Sequence, residues 1–146
     1  MKAIRLAIIV SLMLPMVSLV PAPVLASFHT VAPADEYFGR QRLSILGMRN
    51  LLRDLARDKQ NGARDDASVI NSARAVEDSL HDWQTRYRSD PWLPRYIYQL
   101  DALYHRVDTG EAHERAVAVN TWLVSKYPRS AYARRARSND FGLAGV

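Results

Sequence analysis

The chain has 146 residues, a formal net charge of +5 and no cysteine. A chain of this length has room for one domain. Because it has no cysteine, it cannot form disulfides, use a catalytic thiol, bind zinc through cysteine or carry a lipid-modified cysteine. Without the two basic residues before position 27, 18 basic and 15 acidic residues remain, so the net charge is +3, too even a balance for a nucleic-acid-binding protein.

Residues 1–26 have the three parts of a secretory signal peptide. Lys2 and Arg5 form a positively charged start, an apolar core runs from Leu6 to Val20, and Ala26 ends a segment suited to cleavage. The core is shorter than the roughly 20 residues of a membrane-spanning helix. We therefore expect cleavage, export to the bacterial periplasm and no transmembrane span in the mature chain. Secretion from the cell and an uncleaved membrane anchor are the alternatives.

After a lead-in at residues 27–33 that we expect to be flexible, the sequence predicts an all-helical domain over residues 34–138 and a flexible tail over residues 139–146. The first helix is predicted from about residue 34 to residue 59, followed by a glycine turn at Asn61-Gly62. Its apolar residues recur on one helical face: Phe38, Ile45, Met48, Leu52 and Leu55. Gly39 and Gly47 are unfavourable inside a helix, so we expect them to allow close approach of a neighbouring helix.

The second helix is predicted from about Asp65 to Tyr87, and it has the most regular apolar stripe of the chain. The stripe comprises Val69, Ala73, Val76, Leu80, Trp83 and Tyr87. The third helix is predicted to open with Asp90 as its N-cap and Pro91 at its first position, and to continue to about Val107.

The fourth helix is predicted to begin with Asp108 as its N-cap and Glu111 three positions later, and to stop at Tyr127-Pro128. Ser130 is predicted to cap a short fifth helix that runs to about Ser138. No segment alternates between apolar and polar residues with a period of two, so we expect no sheet. Because the loops are short, neighbouring helices should be antiparallel.

The chain repeats part of itself at an offset of 40 residues. Residues 83–93 (WQTRYRSDPWL) align with residues 123–133 (LVSKYPRSAYA). Each segment has a bulky apolar residue, a tyrosine four positions later, a short polar turn, a helix N-cap and an aromatic residue near the start of the next helix. A repeat of this length that spans two helices is typical of helical repeat arrays.

The segment KYPRSAYA at residues 126–133, with Ala136 following, resembles the turn of a tetratricopeptide repeat. The variant it resembles most is that of bacterial periplasmic repeat proteins of the outer-membrane assembly lipoprotein type. With Pro128 as the closing proline, Ala116 falls on the small position of the second helix of the repeat, and apolar positions of the first helix fall on Leu100 and Leu103.

The resemblance covers about residues 90–136, with three departures from the pattern. Tyr104 stands beside Leu103 where a small residue is usual, Asn120 replaces an aromatic residue, and the lipid-attachment cysteine is missing. The resemblance implies antiparallel helical hairpins stacked as a short array or a bundle of about five helices. It also implies a scaffold that binds proteins or peptides in a groove, without catalytic residues.

No pattern of polar residues indicates catalysis or metal binding. None of the four histidines forms an i, i+4 pair with another. His105 and His113 can approach each other across a turn, where Asp108 or Glu111 would complete a weak metal site, but two polar residues on a solvated loop explain the pattern more simply. The carboxylate at Asp101 is interpreted as a helix-surface partner of His105. We therefore expect no enzyme activity, cofactor or metal.

Two surfaces are candidates for binding. Most aromatic residues between positions 83 and 132 fall on the apolar stripes, but Tyr98 is predicted to lie on the far side of the third helix. With Trp92 and Arg95 it would form a protein-binding face, since Trp, Tyr and Arg are favoured at interface hot spots. A second set could contact an anionic surface such as lipid headgroups or a cell-wall polymer, although a solvated terminal helix explains it equally: Arg129, Arg134, Arg135 and Arg137.

The sequence thus favours an exported, non-enzymatic scaffold that binds a partner protein or peptide in the cell envelope. We expect the mature domain to be monomeric, because the first helix would cover the end of the stack. A small structural or stress-related envelope protein without a partner groove is the main alternative. A metal-binding or enzymatic helical domain is the other.

Overall fold

A computed structural model of the chain describes residues 31–138, in which five helices follow a short β-hairpin. The elements are β1 (Tyr37–Phe38), β2 (Leu43–Ser44), α1 (Ile45–Gln60), α2 (Asp66–Arg86), α3 (Leu93–Tyr104), α4 (Gly110–Lys126) and α5 (Ala131–Arg137). The predicted all-α bundle of five helices is confirmed. The predicted signal peptide and the tail after residue 138 lie outside the described residues.

The helices pack in two ways, and α3 is central to both. Each helix contacts the next one along the chain, and in addition α1 and α5 both contact α3. Because α3 touches the other four helices, nine of its twelve residues are buried. The core is continuous through the bundle, and its largest side chain with no exposed surface belongs to Trp83 of α2.

The sequence repeat is also a structural repeat. Tyr87 ends α2 with φ/ψ of −133° and 55°, and Tyr127 ends α4 with −128° and 49°. In each turn the residue three positions later donates its backbone N–H to the tyrosine carbonyl, over 2.9 Å from both Asp90 and Ser130. The α2–α3 and α4–α5 connections therefore have the same backbone geometry.

The prediction that Asp90 is the N-cap of α3 and Pro91 its first residue is wrong, because α3 begins at Leu93 after Trp92. Asp90 has a different role. Its carboxylate is 1% exposed and accepts three hydrogen bonds. The donors are the backbone N–H groups of Ala32 (2.8 Å) and Trp92 (2.9 Å) and the indole N–H of Trp83 (3.0 Å). The prediction of a flexible lead-in is wrong at Ala32, which is buried and bound to this carboxylate.

The prediction that the first helix begins near residue 34 is wrong, as is the expectation of no sheet. The first helix begins at Ile45, and the residues before it form the antiparallel pair β1–β2. Gly39 and Arg42 of the connecting turn have φ of +66° and +51°, which a right-handed helix does not allow. Phe38, counted on the helical face, is buried against the Trp83 ring at a centroid distance of 5.3 Å.

The hairpin turn is held by carboxylates of α2. The backbone N–H of Gly39 donates to Asp82 over 2.8 Å, and that of Arg40 donates to Asp78 over 2.9 Å. A Cβ atom at position 39 would lie 2.5 Å from the Ser79 Oγ and 2.9 Å from its Cα. The expected close approach at Gly39 is therefore confirmed, although it occurs in a turn and not in a helix.

Most other helix ends agree with the capping residues predicted from the sequence. Ser130 caps α5 by accepting from the backbone N–H of Ala133, and Asn61 followed by Gly62, at φ +65°, ends α1. The predicted cap of α4 is wrong by one residue. Thr109, not Asp108, accepts the N–H of Ala112, over 3.2 Å.

We expect Gly39→Ala to destabilise the protein more than Gly62→Ala. Both positions have positive φ, which costs an alanine about 1 kcal/mol. Only position 39 also forces a Cβ against the α2 backbone, which adds about 1–3 kcal/mol, whereas position 62 has no neighbour within 4 Å. Urea unfolding of both variants measures the difference, and equal losses would contradict the docking of the hairpin on α2.

Candidate functional site

One continuous strip of α3 remains accessible. Within the helix only Arg95, Gln99 and Ala102 are partly exposed, and their spacing of four and three residues places them on one face. Trp92, half exposed, extends this face by one turn before the helix, and Arg106 extends it beyond the C-terminal end. These five residues are called the α3 strip, and α1 and α5 pack on either side of the helix that carries it.

The structure separates the three residues of the predicted protein-binding face. Trp92 and Arg95 lie on the α3 strip, but Tyr98 is only 5% exposed. Its ring packs against that of Tyr132 in α5, at a centroid distance of 5.7 Å. The prediction that Tyr98 is exposed is wrong because α5 covers this side of α3, and a helical projection of α3 alone contains no information about that contact.

Positive charge gathers where α1 meets the α3 strip. Burial raises the pKa of the Tyr96 hydroxyl, and the charges of Arg95 and Arg49 partly offset this rise. The guanidinium groups of α3 and α1 therefore lie near the same hydroxyl. Among residues 31–138, no carboxylate lies within 4 Å of either guanidinium. One turn along, the Gln99 side-chain carbonyl is buried with no hydrogen-bond partner.

Beneath the strip lies a buried polar cluster that sequence analysis misassigned. Asp101 was interpreted as a surface residue, but its side chain is completely buried. The Asn120 amide donates to the Asp101 carboxylate over 3.1 Å and to the Ala136 carbonyl over 3.2 Å, so it connects α3, α4 and α5. The His105 imidazole lies 3.4 Å from the second Asp101 oxygen.

The pKa values of two groups in this cluster differ from their ordinary values. Burial raises the pKa of Asp101 to about 7, against which the Asn120 hydrogen bond acts. Burial lowers the pKa of His105, and so does the charge of His113. The cluster can therefore gain or lose a proton near neutral pH, in a position that links three helices.

The effect of His113 on His105 places the two imidazoles near each other across the α3–α4 connection, as the sequence suggested. Residues 31–138 contain no group of three or more His, Cys, Asp or Glu side chains that could hold a metal ion. Over the same residues, no helix is both long enough and apolar enough to cross a membrane.

Glu77 of α2 is a further polar residue that connects helices. Its carboxylate accepts from the buried Tyr104 hydroxyl over 2.8 Å and pairs with Arg115 of α4 over 3.2 Å. Burial and the Glu77 charge together raise the pKa of Tyr104. The contact therefore joins α2, α3 and α4.

The four arginines of the predicted basic surface are all exposed. Two of them fold back onto the preceding turn: Arg134 donates to the Arg129 carbonyl over 3.0 Å, and Arg137 donates to the Pro128 carbonyl over 3.3 Å. In the part of the chain that the structure describes, none of these four arginines has a carboxylate within 4 Å. Their charge is therefore available to an external anion.

A cleft of about 540 Å³ beside the hairpin is a weaker candidate. It is lined by Pro33, Asp35, Glu36, Tyr37, Gly39, Arg42, Asp82 and Arg86. Arg86 pairs with Glu36 over 2.6 Å and with Asp82 over 3.0 Å, so these charges already neutralise one another. The same guanidinium lies over the Phe38 ring, 4.4 Å from its centroid, which makes it part of the hairpin packing.

Comparisons with known proteins found no relative of this chain. No protein-family model, no curated protein and no solved structure matches the chain.

We expect Asp101→Asn to stabilise the protein at neutral pH by up to about 4 kcal/mol. The folded-state pKa of Asp101 is about 7, above the ordinary 3.8, so ionisation opposes folding. The wild-type protein should lose stability relative to the variant as the pH rises from 4 to 7, and the difference should then level off. His105 lies 3.4 Å from the Asp101 carboxylate, so the difference reports the titration of this pair and not of Asp101 alone.

Chemical denaturation at a series of pH values measures this difference. The exposed Asp108→Asn is the matched control, since it removes the same charge without burial. A gain at Asp101→Asn that does not vary with pH would contradict a buried carboxylate with a raised pKa.

Proposed function

We propose that this protein is an exported, non-enzymatic interaction module of the bacterial cell envelope that binds one partner protein or peptide along the α3 strip. The observation that carries the proposal is the strip itself. The most enclosed helix of the bundle keeps one continuous accessible face, and that face carries polar groups without partners.

The strip offers polar side chains that a partner could use. Within the described residues the Gln99 side-chain oxygen is buried without a hydrogen bond, which costs about 1–3 kcal/mol, and on turning outward it can accept from water or from a peptide N–H. Arg95 and Trp92 belong to the residue types that dominate interface energies. Export is supported by the composition of residues 1–26.

Packing is consistent with the resemblance to tetratricopeptide repeats on which the proposal also draws. Alternate helices α1 and α5 both contact α3, while side chains such as Glu77 with Arg115 connect α2 to α4. This arrangement leaves the row of alternate helices as the side from which a partner would reach α3.

The test is site-specific photocrosslinking in the native envelope. We expect a crosslinker at Ala102, on the strip, to capture one recurrent envelope protein, and one at Ala118, exposed on α4, to capture none. Arg95→Ala with Gln99→Ala should lower the Ala102 yield about tenfold, the equivalent of 1.4 kcal/mol. Arg57→Ala with Gln60→Ala, an exposed pair on α1, should leave the yield unchanged.

The melting temperature of each variant checks that the fold is intact. Self-links alone at Ala102, or equal yields from Ala102 and Ala118, would refute the partner strip. They would favour a small structural envelope protein instead.

A further inference from the structure

The two repeated turns lie side by side at one end of the bundle. The Tyr127 hydroxyl, in the second turn, reaches the backbone carbonyl of Arg88 in the first turn at 3.5 Å. Both turns carry exposed arginines, and two arginines of α5 fold back onto the second turn. The surface formed here is called the turn face: Arg88, Trp92, Arg129, Arg134 and Arg137.

The turn face has an excess of positive charge. From Ala116 to Ser138 the chain contains five basic residues and no acidic residue. In the first turn, Asp90 is buried and already accepts three hydrogen bonds. Glu36, which contacts the Tyr87 hydroxyl over 3.1 Å, is paired with Arg86. Both of these carboxylates are thus engaged within the protein, and the exposed Asp35, whose charge also acts on the Tyr87 hydroxyl, offsets only part of the positive charge.

Trp92 adds an exposed amphipathic aromatic residue beside these charges. The indole N–H groups of Trp83 and Trp122 donate to Asp90 and Gln84. Within the described residues, the Trp92 indole N–H has no such acceptor, and the side chain is half exposed. Tryptophan and arginine side chains suit the headgroup layer of a bilayer, where an apolar body and a polar tip are both satisfied.

The path of the chain leads to the same end of the molecule. The backbone N–H of Ala32 is bonded to Asp90, and the preceding Val31 is half exposed. The apolar core Leu6–Val20 lies ten residues before Val31 in the sequence. Ten residues span at most about 35 Å. While residues 1–26 remain attached, a membrane that holds this core is therefore within reach of the turn face.

We propose that the turn face binds an anionic lipid bilayer surface through its arginines and Trp92. This binding is additional to the partner strip and does not depend on it. Each basic residue near an anionic bilayer contributes about 1 kcal/mol, so four arginines suffice for reversible attachment that weakens as salt is added.

The test uses the protein as recovered from cells after export, with its N-terminus determined by mass spectrometry. Co-sedimentation compares vesicles that contain phosphatidylglycerol with vesicles of phosphatidylcholine alone. The turn-face variant carries Arg88→Gln, Arg129→Gln, Arg134→Gln and Arg137→Gln. The matched control loses the same charge elsewhere, at surface ion pairs, through Arg53→Gln, Arg57→Gln, Arg64→Gln and Arg74→Gln.

We expect wild type and control to bind the anionic vesicles and the turn-face variant to lose about a thousandfold in affinity, since each tenfold loss corresponds to about 1.4 kcal/mol. Equal losses of affinity in both variants would mean that binding depends only on the net charge of the protein, which would overturn the proposal. Binding of soluble DNA or heparin without binding of anionic vesicles would also overturn it, in favour of an anionic polymer.

Quenching of tryptophan fluorescence by brominated lipid is a second readout, independent of the stability of the arginine variant. We expect quenching on anionic vesicles that is largely lost in Trp92→Phe, because Trp83 is buried and Trp122 is partly covered. Vesicle binding with Trp92 unquenched would mean that another part of the chain holds the membrane. Crosslinking at Ala102 is read separately, so a failure of either proposal is distinguishable from a failure of the other.

Discussion

The buried carboxylate of Asp90 is the constraint on which the arrangement of the bundle depends. A carboxylate with 1% exposure is stable only when it is hydrogen-bonded, and here its three donors come from three separate places in the chain. They determine where the N-terminal segment lies, how the Trp83 indole is oriented and where α3 begins. Trp83 in turn stacks on Phe38, and so the hairpin is placed on α2.

The two turns show how one backbone geometry serves two purposes. Asp90 and Ser130 occupy the same place in the repeat, and both donate to a tyrosine carbonyl over 2.9 Å. Ser130 only caps α5, near the end of the described chain, where little covers it. The Asp90 side chain is buried and longer than that of serine, so its carboxylate reaches donors from neighbouring segments. The turn is therefore local, and what its cap residue does depends on the surrounding helices.

Two polar contacts join helices inside the bundle. The buried Tyr104 hydroxyl of α3 donates to Glu77 of α2. The Asn120 amide of α4 donates to Asp101 of α3 and to the Ala136 carbonyl of α5. Each contact helps to fix how neighbouring helices lie, because a buried polar group is stable only with its partner. Burial raises the pKa of Asp101, so the second contact is the one that a change in pH would alter.

The α3 strip and the turn face share one residue, Trp92. A partner on the strip and a lipid surface at the turn face would therefore share Trp92 but would not compete for Arg95 or Gln99. A module held at a membrane by one end would present its strip to proteins in the envelope. The two proposals are thus compatible in one molecule.

Local signals in the sequence determined the helices α2, α4 and α5, the turn at Asn61-Gly62 and the repeat that joins α2 to α3 and α4 to α5. These features depend on residues within about four positions of one another, so periodicity and capping residues are sufficient to predict them. Trp92 and Arg95 were singled out for their residue types and not for their spacing, and their role in binding stays a prediction.

Only the tertiary structure decided the hairpin before α1, the burial of Tyr98 and Asp101, and the triple hydrogen bond of Asp90. Each depends on a contact between segments far apart in the chain, such as Tyr98 with Tyr132, or Gly39 with Asp82. A helical face is defined by its own residues, but whether that face is covered depends on which other helix packs there. Periodicity along one helix contains no information about that choice.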